Sequence, residues 1–269
     1  MQVSARDILL SISIQYDGDY QKMLNEIKYH KPDLSGNKIQ EALSKVKANF
    51  CELTGEQYPS SFKNCINPPI LFYYYGNLSL LEKKYRITCV GSRKPTIYQN
   101  RTCFEFLQRC EEHFKNDLVI VSGMAGGLDQ TFMKAAMEKE APVVSIIGSG
   151  IDNPYPSDNG GIYDYCKSGK GLVISEYPGE LSAKKENFLF RNRLLAVASP
   201  VLFIGGGNNR SGTASTLKYA LEFGKEVCAL PCNVTGDDLT NSSIKSGAES
   251  ILCPRDLIDV IENVCKAVS

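Results

Sequence analysis

The chain has 269 residues, 43% hydrophobic and 22% charged, an ordinary globular composition with room for one large α/β domain and a smaller companion. Thirty basic and thirty acidic side chains cancel, so no global field draws the protein onto nucleic acid, and any anion site must come from local segregation of charge. Ten scattered cysteines with no Cys-x-x-Cys pair, and only two histidines, His30 and His113, favour free thiols in a reducing cytosol over a disulfide framework or a zinc site.

The first residues, MQVSARDILLSISI, lack the basic head, long apolar core and cleavage site of a signal peptide. No apolar run approaches ~20 residues, so no membrane span is expected and a cytoplasmic location is. Two half-polar helical stretches follow, YQKMLNEIKYH and NKIQEALSKVKANF, separated by the breaker KPDLSG. The segment YPSSFKNCINPPILFYYYGN, rich in proline and aromatics and ending in a Gly-Asn turn, reads as a connector. Beyond it a strict alternation begins. RITCVG, LVIVSG, VVSIIG, GLVISE, VLFIG and EVCALP are short continuous apolar strands, and the helical stretches between them include NRTCFEFLQRCEEHF, LDQTFMKAAMEKE and SGTASTLKYALEFG. RDLIDVIENVCKAV closes the chain as a helix with an i, i+3, i+4 apolar face. Six such strands imply a doubly wound, mostly parallel sheet covered on both faces, an α/β fold. The organisation expected is a small helical N-terminal domain over 1–57, a connector over 58–85 packed on the next unit, and a Rossmann-like domain over 86–269.

In open sheets of this kind ligands bind beyond the carboxyl ends of the strands. Small residues concentrate there: Gly91-Ser92-Arg93, Ser122-Gly123-Met124-Ala125-Gly126-Gly127, Gly148-Ser149-Gly150, and Gly205-Gly206-Gly207 followed by Ser211-Gly212-Thr213 at a helix start. Glycine lets an anion reach backbone N–H groups, and helix N-termini add donors and a dipole. The charge is segregated too. Lys184 to Lys225 holds seven basic residues (Lys184, Lys185, Arg191, Arg193, Arg210, Lys218, Lys225) and two acidic ones (Glu186, Glu222), a local excess of five. Arg191-Asn192-Arg193 stands where an apolar helix, Leu194 to Ala198, is expected to begin, an unfavourable place for cations unless an anion sits there. Both phosphate-loop templates fail: Gly148-Ser149-Gly150 lacks the third glycine of a dinucleotide fingerprint, and Ser211-Gly212-Thr213 lacks a P-loop lysine. There is no Gly-x-Ser-x-Gly elbow either, and Glu176 and Asp129 have no identifiable catalytic partner. The reading is phosphate binding with no catalytic residue, no cofactor and no metal.

Taken together, YPSSFKNCINPPILFYYYGN, VGSRKPTIY, VSGMAGGLD, IIGSGIDNPYPSDN, ISEYPG, NFLFRNRLLAVAS, RSGTASTLKYALEFGKEVCALP and TNSSIKSGAE resemble, in order, the blocks of the DNA-processing protein A (DprA/Smf) family over about residues 58–250. The resemblance implies an extended Rossmann domain behind a small helical domain. It also implies a homodimer that binds single-stranded DNA and helps to load a RecA-type recombinase in natural transformation and recombination. Carried over residue by residue, it assigns Arg93, Ser122 to Gly127 (Ser122, Gly123, Ala125, Gly126, Gly127), Lys185, Phe188 and Arg191, Asn192 and Arg193 to a phosphate pocket, with Phe188 stacking on a base. Gly91, Ser92, Ser211, Gly212 and Thr213 join it as strand-end and helix-start donors.

Departures from the family pattern mark a divergent member. Gln99 stands for the usual glycine, Phe132 for a frequent histidine and Gly205 for an acidic residue; ALPCN replaces Pro-Gly, and Leu239 stands for glycine. The chain ends at Ser269 with its last helix, so a member without a C-terminal winged-helix domain is expected. The dimer surface is sought late in the chain, at Ile251, Leu252 and Leu257. Two alternatives share the fold: a phosphoribohydrolase-like enzyme, to which GGGNNRSGT bears some likeness, and a sensor of a small nucleotide. A strand binder gains affinity with oligonucleotide length, whereas either alternative prefers the monomer.

Overall fold

The computed structural model describes residues 4–29, 41, 43, 44, 46–115, 117–234 and 238–267. The helix expected over NKIQEALSKVKANF falls partly outside them, and its described end is not helical, with residues 49 and 50 in a strand. The two N-terminal helices are α1 (Ala5–Gln15) and α2 (Tyr20–Tyr29). Ser4 opens α1 with a reciprocal cap, its hydroxyl taking the Asp7 N–H while the Asp7 carboxylate takes its own. Leu10, Ile12 and Met23 are buried in the same apolar cluster as the sheet.

One nine-stranded sheet runs in the order β1 (Asn49–Glu52), β2 (Leu71–Gly76), β6 (Leu172–Tyr177), β5 (Val143–Gly150), β4 (Leu118–Ser122), β3 (Tyr85–Val90), β7 (Val201–Ile204), β8 (Glu226–Ala229), β9 (Glu249–Ser250). From β6 to β9 every pairing is parallel. The first two strands pair antiparallel, β1 on β2 and β2 on β6. The expectation that residues 1–57 are helical is corrected here, since residues 49–52 form an edge strand. The stretch expected to be a connector supplies β2, paired with β6 from Tyr73↔Ser175 to Gly76↔Leu172.

Alternate strand residues feed opposite layers, as the pleat requires. In β4, Leu118 and Ile120 face one apolar cluster, and Val119 and Val121 the other. The first layer holds α3 (Ile97–Phe114), α4 (Leu128–Glu138), α5 (Gly160–Tyr165) and α9 (Pro254–Ala267). The second holds α6 (Lys185–Val197), α7 (Gly212–Glu222) and α8 (Asp238–Lys245). From β3 the chain winds outward through β4, β5 and β6, then returns to the other side of β3 with β7. The order reverses between β3 and β7, and such a switch point opens a crevice at the strand ends.

The departures Gln99, Phe132, Gly205 and Cys232 turn out to be neighbours in space. Gln99 closes a capping box at the start of α3 with Thr96, a role glycine has no side chain to fill. Its amide donates to Cys232 Sγ at 3.2 Å. A Cβ on Gly205 would meet the Phe132 ring at 2.8 Å and Cys103 Sγ at 2.6 Å, so the larger Phe132 goes with a residue that has no side chain.

Candidate nucleic-acid interface

The crevice at the β3/β7 switch point is a cavity of about 710 Å³. Gly91, Ser92 and Arg93 enter it from the end of β3, and Gly207 and Asn208 from the end of β7. One long wall is α6, through Lys185, Phe188 and Arg191; the other is the start of α7 at Ser211, Gly212 and Thr213. Ser211 caps α7 by accepting the Ala214 N–H, and Thr213 Oγ1 donates to the Gly91 carbonyl, pinning the helix start to the end of β3. Asn192 makes the matching tie from α6, its amide donating to the Gly212 carbonyl at 3.1 Å. The positive end of α7 therefore faces the cavity on a fixed mount.

Arg93, Lys94 and Lys185 are exposed at the mouth. Among the described residues, their side chains make no hydrogen bond and no ion pair. Between them stands Phe188, with Arg93 and Arg191 guanidinium carbons 5.8 and 5.9 Å from its ring centroid. Gly148, at the end of β5, is what lets α6 approach: a Cβ there would lie 2.9 Å from the Phe188 ring and 3.2 Å from its backbone. Tyr155 completes the wall, half exposed and 5.8 Å from Phe188 ring to ring. Neither Tyr155 nor Lys94 was assigned from the sequence. The only signal was an aromatic just past a strand end in IDNPYP, and a second cation beside Arg93.

Three expectations about this site are corrected. First, α6 begins at Lys185, not near Leu194, so Arg191-Asn192-Arg193 lies inside a helix and the helix-start argument does not apply to it. Second, Arg193 does not line the cavity. It is 1% exposed and holds Glu176 bidentately at 2.8 and 2.6 Å, and it also donates to the Phe190 and Asn67 carbonyls. Third, the Ser122–Gly127 turn is not an open anion cradle. Ser122 is buried with its hydroxyl on the Cys89 carbonyl, and Gly123, Gly126 and Gly127 lie off the cavity wall. The turn's donors face the chain's own Asp129, whose carboxylate accepts the Ala125 N–H at 3.3 Å and is further stabilised by the N–H groups of Gly123 and Gly91. Gly127 has φ 83° and sits so close to Ser92 that no side chain fits. Of this turn only Ala125 reaches the cavity.

Arg191 occupies the floor. It is 4% exposed, beside Asp129, with Nη1 donating to the Ile146 carbonyl. Burial pulls its pKa down to about 10, Asp129 opposes that, and nearby Arg93 adds to it. Burial likewise pushes the Asp129 carboxyl up, against Arg191 and the three N–H groups. Arg191 lines the cavity, and its buried Nε has no hydrogen-bond partner among the described residues. The site thus offers three exposed cations and one fixed one around a ring face, beside a helix start. Asp129, the one carboxylate among the lining residues, is committed internally.

Residues 49–262 match the family described as DNA recombination-mediator protein A. The chain is 29% identical to the DNA processing protein DprA of Bacillus subtilis (strain 168) over 238 residues, 87% of this chain and 78% of that one. In fold it is similar to the X-ray structure of DNA processing protein A from Streptococcus pneumoniae, with TM-score 0.79, 23% identity, and 96% and 98% of the two chains covered. It is also similar to DNA processing protein A from Helicobacter pylori, solved for its single-stranded DNA binding mode, with TM-score 0.70, 28% identity, and 81% and 98% covered.

Proposed function

The chain belongs to the DNA recombination-mediator protein A family, and we propose that it binds single-stranded DNA in the β3/β7 cavity, without regard to sequence and without chemistry. The observation that carries this reading is the pairing of partnerless, exposed cations with an aromatic face. Arg93 and Lys185 flank Phe188 at the cavity mouth, the combination that holds a strand by its phosphates and stacks one of its bases. A duplex keeps its bases stacked on each other and offers no free base to Phe188. The reading as a binding site and not an enzyme is supported by Asp129, whose carboxylate is held by backbone N–H groups and is poorly placed to move a proton.

Homodimerisation and delivery of the strand to a RecA-type recombinase form part of the same proposal, the delivery supported by the family's description as a recombination mediator. Of the three residues expected at a dimer surface, Ile251 and Leu257 are fully buried, which corrects that expectation, and Leu252 is 74% exposed. No helix among the described residues is long and apolar enough to cross a membrane. The test is titration of single- and double-stranded oligonucleotides at several salt concentrations. The reading requires preference for the single strand and log affinity falling with log salt by about 0.7 per phosphate contacted. Equal binding of duplex, or best binding of a mononucleotide, would replace it with the enzyme or sensor reading.

A further inference from the structure

The first turn of α6 divides two cavities, not one. On the far side of the helix from the cavity already described lies a second, of about 430 Å³, walled by α6, the α1–α2 turn and the end of β6. The two are assembled from the same kinds of part. In the first, α6 supplies Lys185 and Phe188, Tyr155 faces the phenyl ring at 5.8 Å, and Arg191 lies 5.9 Å from it. In the second, Lys184 just before α6 and Phe190 on it take those places, Tyr20 faces the phenyl ring at 5.6 Å, and Arg193 lies 3.6 Å from its centroid. Positions two apart point to nearly opposite sides of a helix, so one short segment furnishes both walls. The ion pair with Glu176 fixes Arg193, and with it the ring that rests on it.

The second cavity differs in charge. Its cations, Lys22 and Lys184, are outnumbered by Asp17, Asp19 and Glu186, and Lys22 already pairs with Asp19 at 3.8 Å. A phosphate finds little compensation there. A nucleobase fits better: its π face suits Phe190 and Tyr20, and its ring N–H and exocyclic groups suit Asn67, Asn187 and Asp17, which line the same space.

We propose that this second cavity is a base-binding subsite. A single strand held by its phosphates at the first cavity crosses the exposed Lys184–Lys185 start of α6 and lays one base against Tyr20 and Phe190. This inference rests on the reading of the first cavity as a single-strand site, and it makes the N-terminal helical pair part of the strand's path.

The test is fluorescence anisotropy with labelled oligothymidylates of increasing length, from the dinucleotide upward, on the full chain and on Phe188→Ala, Tyr20→Ala, Tyr20→Phe and Lys184→Ala. The expected result is a step in affinity at the length that spans both cavities. Phe188→Ala weakens every length. Tyr20→Ala leaves the shortest strands unchanged and weakens the longest roughly five- to hundred-fold, removing the step, while Tyr20→Phe keeps it. Should Tyr20→Ala melt before it can be titrated, Lys184→Ala, at an exposed position, reports the same loss at long lengths only. If both Tyr20→Ala and Lys184→Ala match the parent at every length while Phe188→Ala does not, the subsite is overturned and the first cavity stands. If the parent binds no length, both readings fall together.

Discussion

The mouth of the β3/β7 cavity and its floor carry the same kinds of side chain and treat them in opposite ways. At the mouth, Arg93, Lys94 and Lys185 are exposed and partnerless among the described residues. On the floor and just behind it, Arg191 and Arg193 are buried, the first bonded to the Ile146 carbonyl near Asp129 and the second paired with Glu176. Charge counted along a chain is therefore not charge available to a ligand. The excess of five between Lys184 and Lys225 includes Arg193, which is neutralised by Glu176 outside that window. What remains for DNA is smaller and lies nearer the rim.

The largest effect should come from breaking the floor. Arg193→Ala leaves Glu176 buried and unpaired, a loss of about 3–5 kcal/mol, or roughly 6–20 °C of melting temperature for a chain of this size. Replacing both partners at once, Arg193→Met with Glu176→Leu, should recover most of it, because the cost lies in the orphaned carboxylate and not in the missing attraction. Thermal melts of the three proteins decide this. A single variant that melts with the parent would mean that Glu176 finds water or another donor, and the floor would then resemble the rim.

Glu111 shows what the same fold does with a buried carboxylate that has no cation. It is 1% exposed, both its oxygens lack a hydrogen-bond partner among the described residues, and burial pushes its pKa up to about 8. The folded protein then keeps the proton that the unfolded chain releases above about 4.5, so this group's contribution is fully present at acid pH and is lost as pH rises from about 4.5 to about 8. Glu111→Gln cannot ionise. Its stability advantage over the parent should therefore grow by up to about 1.4 kcal/mol per pH unit across that window and level off above it. Paired chemical denaturation curves from pH 5 to pH 8 measure it, and a constant difference would mean that Glu111 is solvated or partnered.

The parts legible in the sequence were those whose signal is local. Continuous apolar runs announced the parallel strands, and their pairing put the switch point beside Gly91 and Gly205. Two features were not local. LFYYYG reads as an apolar run among prolines, and only its pairing with Leu172–Ser175, about a hundred residues on, makes it a strand. Arg191, Asn192 and Arg193 read as a helix start that faces an anion. Yet α6 is buried around that whole turn, and the partners that make this tolerable, Asp129, Gly212 and Glu176, are remote in sequence. The Ser122–Gly127 turn misled for the reverse reason. It is an anion cradle, and its anion is the carboxylate of Asp129, two residues past the turn. The family departures also looked independent in sequence, whereas Gln99, Phe132, Gly205 and Cys232 adjust to one another around one spot.

At the rim the balance of effects should reverse. Arg93→Ala removes a charge that no carboxylate in the described structure answers, so the melting temperature should hold. Hydrogen bonds to a charged group are worth about 1.5–3 kcal/mol, so single-strand affinity should fall about ten- to a hundred-fold. Binding and melting measured on the same sample separate rim from floor. Weakened binding with an intact melt places Arg93 at the rim, and a collapsed melt would place it with Arg193.

The finest test uses salt, because the slope of log affinity against log salt reports how many counterions the bound strand gives up. Each phosphate that meets a free protein cation contributes about 0.7 for a single strand. Lys185 is exposed, partnerless among the described residues and one turn from Phe188 on the cavity wall. Lys185→Ala should therefore flatten the slope by about 0.7 and lower affinity most at low salt, where screening is weakest. Arg193 gives the contrast. Its charge is closed by Glu176, so a folded Arg193→Met, Glu176→Leu double variant should keep the parent slope. Equal slopes for the parent and Lys185→Ala would remove Lys185 from the phosphate path. A flattened slope for the double variant would show that the Arg193–Glu176 pair opens when DNA binds, so that the charge counted as structural is partly a ligand's after all.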